Sequence, residues 1–100
     1  MTDTILSPYT DGTTHTASAA GNNPTALSGV PGRPGPLYIY NPGTVTVRVK
    51  IGGTDVVASG TSFPIPAGQL QPINTGAATH IAAWVASGTQ AIELFKLGGV

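Results

Sequence analysis

Residues 44–51 read TVTVRVKI and alternate without a break. Val45, Val47, Val49 and Ile51 fall on one side of an extended chain, and Thr44, Thr46, Arg48 and Lys50 fall on the other. A period of two, carried by β-branched residues, is the pattern of a strand with one buried and one wet face. The folded part of the chain is therefore expected to be β-structure, and the flanking segments are read outward from this strand.

Upstream, Leu37-Tyr38-Ile39-Tyr40 reads as a strand, and Asn41-Pro42-Gly43 predicts a hairpin connection into residues 44–51. Downstream, Gly52-Gly53 ends the strand and residues 55–58 form a further short strand candidate. In SFPIPAGQLQPI, residues 62–73, Pro64 and Pro66 remove two ladder donors, so this segment suits only an edge strand or an extended wrap. Pro66-Ala67-Gly68 predicts a turn, and Pro72 again argues for an edge over residues 69–73. Residues 79–86 and 89–97 lie either side of Ser87-Gly88 and predict a closing hairpin. The alanines of residues 77–86 also suit a helix, but Gly76 and Gly88 leave room for only about three turns. Neither arm of that hairpin has a cleanly polar face, and a strand apolar on both sides must be covered on both sides. With no helix to cover them, the expected cover is the other sheet plus a second chain. The expected fold is all-β: a small antiparallel β-sandwich or barrel over residues 37–100, preceded by an extended N-terminal arm.

That arm is residues 1–36, rich in Thr, Ser, Ala, Gly, Asn and Pro. Its larger apolar residues, Ile5, Leu6, Tyr9, Leu27 and Val30, follow no period, so it lacks the apolar area to offset the entropy of ordering itself. Gly29, Gly32 and Gly35 fall every third residue among prolines. A collagen triple helix needs far more repeats, so this stretch reads as a semi-rigid polyproline connector carrying the arm away from the β-domain.

The chain has 100 residues, four Lys plus Arg against four Asp plus Glu, and no cysteine. A zero balance gives no long-range field for nucleic acid or an anionic membrane, and none of the basic residues cluster. Disulfides and thiolate metal sites are excluded. No apolar run approaches the roughly 20 residues that span a bilayer, and the first residues lack a secretory pattern. Near-zero charge favours association.

Chemistry-bearing residues are sparse. His15 lies in the expected arm and His80 begins a strand; Asp3, Asp11, Asp55 and Glu93 form no spacing that suggests acid–base work. Gly52-Gly53 and Gly98-Gly99 lack the lysine and helix of a phosphate loop. No catalytic, metal or cofactor residue is expected, and the chain is read as a non-enzyme. Tyr38 and Tyr40 share one strand face, and with Trp84 they are candidate subunit contacts.

This layout resembles small β-proteins encoded among the virion genes of tailed bacteriophages. The resemblance lies in a Thr/Ala/Gly/Pro-rich leader, a strand with an Asn-Pro-Gly turn and a Thr-Val-Thr-Val strand at 38–51, a Pro-Ala-Gly turn at 63–69 and an Ala-rich hairpin at 79–94. It implies a capsid decoration (cementing) protein, or a head-fibre or neck subunit, located in the virion and made in the host cytoplasm. Such decoration proteins commonly sit as trimers over capsid subunit junctions, so the expected partners are the major capsid protein or other virion proteins and further copies of the chain. Ile5, Leu6, Tyr9, Leu27 and Val30 are then the arm's apolar anchors, with Arg33 as a polar one. The other reading is a carbohydrate-binding β-sandwich, which needs Tyr38, Tyr40 and Trp84 exposed.

Overall fold

The computed structural model describes residues 12–30 and 36–96. Its strands are β1 (Thr13–Ser18), β2 (Thr25–Ala26), β3 (Leu37–Tyr40), β4 (Val47–Gly52), β5 (Phe63–Ile65), β6 (Leu70–Ile73), β7 (His80–Trp84) and β8 (Thr89–Phe95), with one 3-10 turn at Leu27–Gly29. All belong to a single sheet in the order β5-β4-β7-β1-β8-β3-β6, with β2 beside β7. The sheet curls into a nearly closed barrel, so the all-β expectation holds and takes its barrel form. Pairing is antiparallel except where Ser18 meets Trp84.

The alternation read in residues 44–51 sets the inner wall. Val47 and Val49 point inward and are buried, while Arg48 and Lys50 point out. Ile81 and Ala83 on β7, Val85 just after it, Ile92 and Leu94 on β8, Leu37 and Ile39 on β3 and Ile65 on β5 pack against Val47 and Val49 in the core. Each large side chain so buried contributes roughly 1.5–3 kcal/mol.

Several local expectations are overturned by the topology. Val45, expected on the buried face, is 46% exposed, because the chain bends at residues 43–45 before β4 begins. Residues 41–46 are not a hairpin loop: β3 pairs with β6 and β8, whereas β4 pairs with β5 and β7. The closing hairpin is also absent, because β1 lies between β7 and β8. β1 is thus the central strand, although it falls inside the expected arm. Its register with β8 runs the full six residues, from Thr13↔Leu94 to Ser18↔Thr89. The ladder with β8 on one side, and the Ser18–Trp84 contact with the Asn23 side chain on the other, hold it, since its inward residues, Thr13, His15 and Ala17, are small or polar.

The start of the folded unit therefore moves from residue 37 to residue 12 for the described chain. Leu27 and Val30, expected as partner anchors, are 6% and 2% exposed and sit in the core cluster with Leu37. Val30 and Leu37, on either side of the Gly-Pro stretch, thus belong to the same core. Residues 31–35 lie outside the described residues, as do the arm anchors Ile5, Leu6, Tyr9 and Arg33.

Residues 55–58 form no strand. They belong to a loop laid over the outer face of β7, where Val56 and Ala58 pack on Ala82 and Trp84. The second apolar face of β7 is therefore covered by the chain's own loop. Gly21 lets that loop approach: its φ is +66°, it accepts a hydrogen bond from the Ala58 N–H at 2.9 Å, and a Cβ there would lie 2.0 Å from the Ala58 carbonyl oxygen.

Candidate interaction site at the barrel seam

The sheet order places β5 and β6 at its two ends. The proline reading of both as edge strands is correct, and the 66–68 turn is present: Gly68 has φ +76° and the Gln69 N–H donates to the Pro66 carbonyl at 3.1 Å. This turn joins the two lips covalently, but β5 and β6 share no ladder. The barrel wall is therefore interrupted between them.

At the turn end the interruption is bridged by Asn41, whose side chain is fully buried. Its backbone extends the β3–β6 ladder, donating to Gln69 O at 3.0 Å and accepting from the Gly68 N–H at 2.7 Å. Its Nδ2 donates across the gap to Ile65 O at 2.9 Å and to Val45 O at 2.8 Å, and its Oδ1 accepts from the Gly43 N–H at 3.0 Å. One residue thus ties both lips, β6 through its backbone and β5 through its side chain, and fixes the bend before β4. The Asn-Pro-Gly sequence signalled a turn; only the fold shows that the turn crosses the end of the barrel.

At the other end the seam stays open. Phe63 pairs with Val49 and Ile73 pairs with Leu37, so both lie on inward rows. Yet Phe63 is 49% exposed and Ile73 is half-buried. Inward apolar residues without cover mark the missing piece of wall. They line a groove of about 430 Å³ floored by Val49 and Ile51, with Lys50 and Ser62 at its rim. Backbone groups face it too. Because Ile65 O accepts from Asn41 across the seam, antiparallel alternation turns the N–H and C=O of Phe63 the same way.

A second gap lies between β1 and β7, and it is filled. Beyond the Ser18–Trp84 contact these strands diverge around β2, where Thr25 pairs with Ile81. The Asn23 amide occupies the next rung: Oδ1 accepts from Ala83 N–H at 2.8 Å and Nδ2 donates to Ala83 O at 2.9 Å and to Thr16 O at 3.1 Å. This fixes the amide's orientation, so the His15 Nε2, 3.1 Å from Oδ1, carries the proton and donates. His15 Nδ1 then accepts from the Thr25 hydroxyl at 2.8 Å. His15, expected in a flexible arm, is buried in the wall; burial holds its pKa below the ordinary 6.5, partly opposed by the Asn23 hydrogen bond.

The aromatic candidates do not form an open platform. Tyr38 is 7% exposed and stacks on Phe95 with ring centroids 6.2 Å apart. Tyr40 is half-buried, and Trp84 lies half-buried under the 53–62 loop. His80 bonds its neighbour Thr79 through Nδ1 at 2.9 Å. Among the described residues no group of three His, Asp or Glu side chains is gathered to hold a metal, and no helix is long and apolar enough to cross a membrane. Neither sequence reading nor resemblance singled out Asn23, Asn41 or Phe63. Phe63 carried one signal, an aromatic beside prolines in an edge strand.

Compared with known proteins, the chain matches no family model, no curated protein and no solved structure.

Proposed function

We propose that the chain is a non-enzymatic structural protein of a tailed-phage virion, a decoration protein that binds the outside of the head as a homo-oligomer, with a trimer favoured. The observation that carries this reading is the seam: Phe63 and Ile73 lie on inward rows but are only partly covered, beside unpaired strand edges. Exposed apolar surface next to an open ladder is a surface for association. The all-β fold agrees with the layout that resembles small virion proteins. The carbohydrate reading is less well supported, because Tyr38 and Trp84 are largely covered within one chain.

The mechanism is mass action. Many copies each bury apolar and backbone surface across subunit boundaries that exist only in the assembled shell, and binding to that state alone stabilises it. The test is co-sedimentation of the purified protein with expanded and unexpanded capsid shells of the encoding phage. Saturable binding to expanded shells, with a raised shell melting temperature, is the expected result. Absence of binding to either shell overturns the reading.

A further inference from the structure

The open end of the seam has the chemistry of a strand-accepting slot. Its floor is apolar, from Val49, Ile51 and Ile73; Phe63 presents free backbone groups along one lip; and Lys50 is the only charged side chain lining it among the described residues. An extended segment laid into such a slot gains ladder hydrogen bonds, and specificity comes from alternate side chains. Because Lys50 points out from β4 while Val49 and Ile51 point in, the matching occupant carries an aliphatic residue for the floor and, on the opposite side of the strand, an acid for Lys50.

The chain itself has one such segment outside the described residues. Residues 1–11 contain Asp3 and Leu6 three positions apart, hence on opposite sides of an extended strand and about 10 Å from each other along it. Residues 31–35, PGRPG, contain neither an acid nor a large aliphatic, and residues 97–100, LGGV, contain no acid. Eleven extended residues reach about 36 Å from Gly12, well beyond the roughly 24 Å length of β8. Gly12 precedes β1, which pairs with Leu94 at its start; that end of β8 leads through Tyr38↔Phe95 and Leu37↔Ile73 to the open end of the seam. The segment and the slot therefore belong to the same end of the barrel. β1 is, however, three strands from either lip. A segment reaching its own seam must cross the whole barrel mouth, whereas a neighbour presenting its seam receives the segment directly.

We propose that the groove receives residues 3–9 of a second copy as an added strand, with Leu6 on the apolar floor and Asp3 against Lys50. This rests on the oligomeric reading above and names the contact that builds the oligomer. Occupancy covers Phe63, completes the interrupted wall and joins each copy to the next.

The absence of cysteine makes a direct test available. Isotopically labelled Ile5→Cys protein is mixed with unlabelled Thr61→Cys protein, Thr61 being an exposed residue on the groove, and oxidised with diamide. The expected product is a labelled–unlabelled disulfide linking positions 5 and 61, in yield far above that with Thr14→Cys on the outer face of β1. Lys50→Glu lowers that yield about threefold, the scale of an exposed ion pair, and adding Asp3→Lys restores it. Yield no greater than the Thr14→Cys control overturns the inference. So does a double Ile5→Cys, Thr61→Cys chain that closes only on itself at dilute concentration. Light scattering on the unmodified protein separates the two claims. A defined oligomer without the 5–61 link removes this inference alone; a monomer that also fails to bind shells removes the proposed function with it.

Discussion

The barrel has two gaps in its wall, and each is met by an asparagine. Between β1 and β7, Asn23 imitates a missing peptide, pairing both backbone groups of Ala83, while His15, Thr25 and β2 fill the space around it. Between β5 and β6, Asn41 ties the lips at one end only, and the other end is left with half-exposed Phe63 and Ile73. The contrast shows how a small sheet uses side-chain amides. An amide has the same donor–acceptor pair as a peptide unit, so one residue can replace a rung where backbone cannot reach. Where the rungs are completed the wall is finished; where prolines and a turn keep the strands apart, an edge remains for a partner.

The comparison breaks first at Asn41. Asn41→Ala leaves Ile65 O, Val45 O and the Gly43 N–H unpaired at a fully buried position, and the expected loss is about 3 kcal/mol in urea unfolding. Asn23→Ala strips more groups, five against three, but sits at a half-buried position where water replaces much of the loss, so about 2 kcal/mol is expected. If Asn23→Ala costs more than Asn41→Ala, the seam is not held by its asparagine as described.

Gly21→Ala forces a Cβ against the Ala58 carbonyl at a left-handed φ and is expected to cost about 2 kcal/mol. Because Trp84 is the single tryptophan, the lifted loop is read directly as a red shift of its emission. An unshifted spectrum with the loop still docked contradicts the assigned role of Gly21.

The filled gap also carries a pH dependence that the open one lacks. The folded-state pKa of His15 lies below its ordinary value of 6.5, so the unfolded chain takes up the proton first. Its contribution to stability is complete above pH 6.5 and is lost as the pH falls through the folded-state value. Unfolding midpoints from pH 7.5 to 5.5 should therefore fall in the native chain and change less in His15→Gln. Equal slopes in the two proteins contradict the buried neutral ring. The smallest effect belongs to the turn joining the lips. Gly68→Ala meets no neighbouring atom, so only its φ of +76° is strained, and a loss of about 1 kcal/mol is expected by the same unfolding measurement.

The legible parts of this fold are those where local chemistry and final position agree. Val47, Val49, Arg48 and Lys50 alternate as read, because β4 has one face in the core and one in solvent. Pro64 and Pro72 announced edge strands, because a residue without an N–H is poorly tolerated inside a ladder. The candidate site was half legible: the edge character of residues 62–73 was visible, but not the fact that its two strands face each other across an open seam. Two hairpins were misread for one reason. Adjacent strands usually pair, but here β1 enters between β7 and β8, and β3 leaves β4 to pair with β6.

By itself the sequence determined that the protein is built of β-strands, where its edges fall and where it turns at residues 66–68. These follow from side-chain period and from the missing donors of proline. Only the tertiary structure decided that Thr13–Ser18 is the central strand, that Leu27 and Val30 are core, and that an asparagine bridges each gap in the wall. The physical reason is that strand pairing is made by backbone groups common to every residue. A segment whose inward side chains are Thr13, His15 and Ala17 leaves no apolar period to read, and its place is set by the neighbours that need its hydrogen bonds.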